Sequence, residues 1–389
     1  MMISSVSVRD FGAVGDGFTD DREAIQAALD SGASEVVIPF GNYSVSSTLY
    51  VGSDTAILAD RCARVVLSGE RPKRRGDFLL SNRNTEGEGN RNISLIGGIW
   101  DGNNTAPNNS KPDIFDKDGY SGAVVNFVGV RGLTIRDTVF ANSTTYYTRL
   151  CRVEDFVIEN VDLVSDFFGH NQDGLHFGGG VRHGVVRNLR ALSIGQTNDD
   201  MIAFNADDSV ERVENLDLVR DDIEDITVEN VFAVNCYTII RMLSVDVAIR
   251  DIRIKNVYAG YRNYAINGDG ARYCKTPLFS EEERPLGVGR IENVTVENFV
   301  CYPVCEKPAN LPRGQVDPTF AIRLESLADG FTVRGFRKLR AEGDEDTYAL
   351  LVSNVVGVKV TSDGGEWEIR EKDRGVRLDS FTELRIDKI

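Results

Sequence analysis

One phrase recurs along the chain and limits what it can fold into. It reads LTIRDTVF at 133, FVIENVDL at 156, GVVRNLRAL at 184, DITVENVFAV at 225, DIRIKNVYAG at 251 and NVTVENFVCY at 293, with weaker copies at FTVRGF and GVKVTS. Each copy joins an alternating β-branched stretch to a second apolar stretch through one polar residue. That residue is asparagine at Asn160, Asn188, Asn230, Asn256 and Asn298, and aspartate at Asp137. Asparagine tolerates left-handed backbone and bonds its neighbours through its amide, so repetition at one phase predicts an asparagine ladder within a turn. The apolar residues two positions earlier, Ile135, Ile158, Val186, Val228, Ile254 and Val296, are spaced by 23, 28, 42, 26 and 42 residues. A coil of 23 to 28 residues, sometimes lengthened by a loop, fits one turn of a parallel β-helix better than a leucine-rich or propeller repeat.

The expected fold is therefore all-β: a single-stranded, right-handed parallel β-helix with a short N-terminal capping helix. A chain of 389 residues exceeds a compact single core and must split or elongate, and no Pro/Ser-rich linker interrupts the repeat. The expected plan is one solenoid over 1–389, with 1–35 as strand and capping helix and 36–389 as coils. The helix is read from VRDFGAVGDGFTDDREAIQAALDSG, where Ala24, Ile25, Ala28 and Leu29 share a face and Asp20 with Glu23 forms a capping box. Loop insertions near 206–224, 270–289 and 303–319 are expected on one side, walling a groove.

A net charge of -16 argues against nucleic acid or an anionic membrane as partner. The chain has no apolar run long enough to span a bilayer, and MMISSVSVRD lacks a basic segment followed by an apolar one, so a cytoplasmic location is favoured, or secretion if a leader has been removed. Six cysteines, Cys62, Cys151, Cys236, Cys274, Cys301 and Cys305, are scattered without zinc spacing and read as reduced thiols. No cofactor and no metal are expected. Oligomeric state is left open.

Counting from the apolar markers, Asp173 lies 15 residues after Ile158, Asp199 and Asp200 lie 13 and 14 after Val186, and Arg241 lies 13 after Val228. Successive coils are ~4.8 Å apart, so these groups are expected at nearly one lateral position, as one outward-facing cluster. The same offset reaches Asn267 and Asp269 on one side, and Arg149 beside Tyr146 and Tyr147 on the other. Aromatic faces, amides, carboxylates and an arginine suit an oligosaccharide. Crowded carboxylates raise at least one pKa, which supplies the acid and the base that glycoside hydrolysis needs. The three histidines His170, His176 and His183 flank Asp173; His176 is expected in the groove, the others in turns. Asp207-Asp208 and Asp221-Asp222 read as a solvated face.

With these residues in place, the chain resembles the pectate-lyase-like superfamily and, within it, polygalacturonase-related glycoside hydrolases of family 28. FGAVGDGFTDDREAIQAALD, VVIPFGNYSV and LIGGIWDGNN are similar to the opening of that group, NQDG at 171 to its Asn-x-Asp-Gly motif, and NDDMIAF at 198 to its Asp-Asp motif. The resemblance implies that Asp199 is the general acid, that Asp173 and Asp200 position the nucleophilic water with inversion, and that Asn171 lies at the substrate. The family's Gly-His-Gly motif is missing, and its Arg-x-Lys motif is half present, with Leu243 two residues after Arg241. Those groups contact the acidic sugar in the family, so galacturonate itself is in doubt, and rhamnose or galactose is an alternative. The expected function is hydrolysis of a pectin-like or related polysaccharide or oligosaccharide. The rivals are a lyase acting on a uronate and a non-catalytic, tailspike-like glycan-binding module.

Overall fold

The computed structural model describes residues 4–68, 78–104, 122–169, 171–207, 219–270, 289–306, 316–318, 320–326, 328–339 and 341–343, and the backbone of 348–352, 360–361 and 377–379. The chain winds into a parallel β-helix whose coils stack three sheets. Strand Thr148–Val164 runs through all three: residues 148–150 pair with Leu175–Phe177 in the first sheet, 154–159 pair with 182–187 in the second, and 161–163 pair with 189–191 in the third.

The apolar markers stack in register. Ile57, Leu95, Ile135, Ile158, Val186, Val228, Ile254, Val296 and Val333 are consecutive partners along the second sheet, and all are buried. Each such side chain contributes roughly 1.5–3 kcal/mol on burial, and the stack belongs to one apolar core that reaches from Val8 to Phe336. FTVRGF supplies a further coil, Thr332–Lys338. GVKVTS and Cys274 lie largely or wholly outside the described residues.

The turn residues form the expected ladder. Asp137, Asn160, Asn188, Asn230, Asn256 and Asn298 all have φ between 52° and 60°. Each asparagine donates its amide to the preceding rung, at 2.7, 2.7, 2.9, 3.1 and 3.3 Å. A second left-handed row, Asp155, His183, Asp225, Asp251 and Asn293, bends the chain between Val153 and Phe156 and its equivalents. Its residue types vary, which hid it in the sequence. His183 is a member, as its turn reading predicts, while His170 lies outside the described residues.

Several expectations need correction. The helix Arg22–Leu29 buries Ile25, Ala28 and Leu29 in the core, but its N-cap is Asp21, which makes no capping bond to it. Asp21 instead accepts from the Val14 and Gly15 amides, and the capping box belongs to Ser7 and Asp10 on the preceding 3-10 turn. Asp207 is not a solvated residue. It is buried and accepts from the backbone of Val245, Asp246 and Val247 and from Arg220, because a carboxylate can gather several donors at a tight turn. Asp221 and Asp222 are half-buried against Arg182 and Arg250. Asp208 and the insertions at 208–218, 271–288 and 307–315 lie outside the described residues. Their flanks show two points of insertion, not one: the first two leave the first sheet after Asn205 and Asp269, and the third follows Pro303 of the third sheet.

Candidate active site

The outer face of the first sheet carries a row of partners, one per coil: Asn126, Arg149, His176, Ala203, Arg241, Asn267 and Arg323. Their neighbours in sequence, such as Leu150, Phe177, Phe204, Met242 and Ile266, point into the core. Strand alternation thus gives one side to packing and the other to chemistry.

The three aspartates enter just before this row, at the turn between the third and first sheets. Main-chain bonds from Tyr147 N to Asp173 O and from Gly174 N to Asp200 O, both 2.8 Å, stack the two turns. Oxygens of Asp173, Asp199 and Asp200 all lie within 4.8 Å of one another. Asp173 and Asp200 are 2% exposed and Asp199 8%, so Asp199 is the member that opens most toward solvent. His176 Nδ1 lies 2.6 Å from Asp173 Oδ2, and the His176 ring stacks on Tyr146 at 4.0 Å. Arg241 Nη1 lies 3.7 Å from Asp200 Oδ2, and its Nη2 donates to Asp269 at 2.9 Å.

Burial pushes the Asp173 carboxyl up to about 6 against the hydrogen bond from His176, with the charge of Asp199 adding to the rise. Burial, with the charges of Asp199 and Asp173, raises Asp200 well above the usual carboxylate range, and Arg241 only partly offsets it. Both shifts favour a proton held within the pair Asp173 and Asp200. Asp173 Oδ1 and Asp200 Oδ2 are buried without a hydrogen bond from the described residues, leaving lone pairs for a water or a sugar hydroxyl. The three carboxylates could also hold a hard divalent cation, which takes oxygen ligands, although Arg241 already places one positive charge beside them.

The lateral position of Arg241 differs from the expected one. Asp200 pairs with Thr238, and Arg241 pairs with Ala203, three residues further along. The segment from Ala191 to Asp200 is four residues longer than that between their partners, Ala233 and Thr238, and this displaces the count taken from the markers. Arginine is long enough to reach back, so the cluster still forms. Asn267 pairs with Arg241, Asp269 with Leu243, and Arg149 with His176. Arg149 is 1% exposed, its guanidinium 5.7 Å from the Phe78 ring. Tyr147 does not line the groove: it lies in the core and bonds Gln196 at 3.1 Å, because the chain still turns inward at that position. Asn171 is half-buried in left-handed backbone at the turn that leads to Asp173.

Four residues that matter here were missed in the sequence. Gln172 and Asn198, each just before an aspartate or aspartate pair, are fully buried and knit the two turns: Gln172 donates to Ser143 O at 2.7 Å, and Asn198 to Gly169 O at 2.6 Å. Arg262, also fully buried, donates at 3.1 Å to Asn198 Oδ1, Gly195 O and Thr197 O. Arg323 flanks Arg241 two coils away. The amides adjoining the aspartates were a readable signal, whereas neither arginine sits in a motif. A separate groove of about 570 Å³ follows the asparagine ladder beside Phe232 and contains none of the carboxylates of the cluster.

Residues 5–262 match the family described as "Rhamnogalacturonase A/epimerase, pectate lyase-like". The chain belongs to this family. Its solved neighbours include an exopolygalacturonase of family 28 from Yersinia enterocolitica, with a TM-score of 0.58 and 17% identity over 91% of this chain and 78% of that one. They also include the surface adhesin PfbA of Streptococcus pneumoniae, with a TM-score of 0.61 and 15% identity over 90% and 83%. Both are right-handed parallel β-helices, and at such identity the likeness concerns the fold alone. Among curated proteins, the pre-neck appendage protein of Bacillus phage phi29 is 37% identical over 99 residues, 25% of this chain. The chain spans about a tenth of that relative's length, 11%. Proteins described as a hydrolase and as an adhesin thus share this fold, and the reaction must be argued from the site.

Proposed function

We propose that this protein is a glycoside hydrolase that cleaves a glycosidic bond in a pectin-like or related polysaccharide or oligosaccharide. The convergence of Asp173, Asp199 and Asp200 within 4.8 Å, at the foot of an outward row carrying His176 and Arg241, carries this reading. Asp199, the most exposed of the three, protonates the leaving oxygen. Asp173, held by His176, and Asp200, facing Arg241, orient and deprotonate the attacking water. The oxygen spacing lies nearer that of retaining pairs, ~5–5.5 Å, than the ~6.5–9.5 Å of two-carboxylate inverting sites. Inversion is nonetheless favoured, because Asp173 and Asp200 are both almost fully buried, which withholds either from direct attack on a sugar carbon, whereas a water held between them is small enough to reach it. Two carboxyls sharing one water need no wide gap.

The test is release of reducing ends from a panel of pectic and other polysaccharides, beside Asp199→Asn. That substitution is expected to lower kcat by roughly 10³-fold or more, with KM changed only a few-fold. Equal turnover in variant and parent would remove Asp199 from the role of acid. Proton NMR of the first anomer formed then decides stereochemistry, and retention would remove the direct attack of water. The carboxylate trio also supports a second reading, a cation-dependent lyase. An ultraviolet-absorbing unsaturated product, lost on adding chelator, is the result that would establish it. Glycan binding without any bond cleavage would point to a binding module instead.

A further inference from the structure

We propose that the sugar bound beside Arg241 is uncharged, a hexose or 6-deoxyhexose, and that the site rejects the corresponding uronic acid; this rests on the glycosidase reading above. Among the described residues, three guanidiniums face the row near the carboxylates, and two of them, Arg241 and Arg323, are already engaged by the protein's own acids. Arg149 is buried under Phe78. Arg241 bonds Asp269 at 2.9 Å and lies 3.7 Å from Asp200. Arg323 bonds Asn267 at 3.1 Å and the Tyr264 hydroxyl at 2.7 Å, with Glu325 3.3 Å and Asp269 3.8 Å from its Nη2.

The charge balance therefore favours a neutral guest. Among the described residues, Asp173, Asp199, Asp200, Asp269 and Glu325 outnumber Arg149, Arg241 and Arg323, and protonating His176 or one aspartate only brings the two sides closer. Leu243 stands in register between Asn205 and Asp269 and so brings no positive charge to that end of the row. Beside it the Asn205 amide is fully buried, and neither its nitrogen nor its oxygen has a hydrogen-bond partner among the described residues. Such an amide suits a hydroxyl, which both donates and accepts. A uronate entering here would exchange its hydration for a wall of like charge, whereas a hydroxymethyl or methyl group would not.

Substrate pairs that differ only in this charge provide the test: aryl galactoside against aryl galacturonide, in both anomers, and fully methyl-esterified galacturonan against the free acid. The neutral member of the pair that is turned over should have a kcat/KM roughly 100-fold higher. Two variants should narrow that gap about tenfold: Leu243→Lys, which supplies an ammonium, and Asp269→Asn, which frees Arg241. The second keeps the test valid if the buried lysine prevents folding. Faster turnover of the uronic member by the parent protein, or variants that leave the ratio unchanged, overturns the charge inference while the hydrolase reading stands. Failure to release reducing ends from any of these substrates or from the wider polysaccharide panel overturns both.

Discussion

Asp173 shows how the site and the stability of the fold pull against each other. The folded chain holds its proton more tightly than the unfolded chain does, with a pKa of about 6 against 3.8, because the carboxyl is buried. Its contribution to stability is therefore complete below pH 3.8 and is lost as pH rises through about 6. Asp173→Asn keeps the neutral form at every pH. Thermal denaturation should find the variant more stable than the parent by about 2 kcal/mol near pH 7.5, with the gain vanishing near pH 4, while turnover falls sharply. A stability difference independent of pH would show that Asp173 does not carry this shift. The aspartates themselves were legible in the sequence, since their distances from the markers fell close together. The lateral place of Arg241 and the inward turn of Tyr147 were not, because both depend on where each turn between the third and first sheets ends, which the markers do not record.

At the scale of the element, two turns can be tested. In the asparagine ladder, Asn230 has φ 60°, donates to Asn188 at 2.9 Å and accepts from Asn256 at 3.1 Å. Asn230→Ala loses both bonds and keeps a left-handed backbone that alanine resists, so chemical denaturation should show a loss of about 2–3 kcal/mol. Asn230→Gly should recover about 1 kcal/mol of it, because glycine takes positive φ freely. In the turn at 195–199, Arg262 binds two carbonyls and the Asn198 amide and so positions Asp199. Arg262→Lys cannot reproduce that fork, and kcat should fall ~10–100-fold with KM nearly unchanged. Parallel losses in both constants would instead indicate a general loss of folded protein.

For the whole molecule, the coils beneath the site share one stack of rings, Phe156, Phe177 and Phe204, with centroids 5.6 and 5.4 Å apart. Gly184 is the residue that makes room for it, since a Cβ there would lie 1.9 Å from Phe156 Cζ. Gly184→Ala must displace the ring, at a cost of about 3 kcal/mol, and each coil of a solenoid rests on its neighbours. The disturbance should reach the coil of Asp173, lowering both the melting temperature and turnover. Phe156→Leu combined with Gly184→Ala should restore part of each, and no rescue in the double variant would place the strain elsewhere.

The sequence by itself determined the coil, its register and its ladder, because a solenoid is built from nearest-neighbour contacts and the same few apolar and asparagine positions recur in every turn. It also brought the three aspartates onto adjacent coils. Only the tertiary structure decided which side chains beside them face outward, which cations are already neutralised, and that Arg262, Arg323, Gln172 and Asn198 belong to the site. Those outcomes depend on bulges, on turns of unequal length and on contacts between residues far apart in the chain, so no periodic pattern records them.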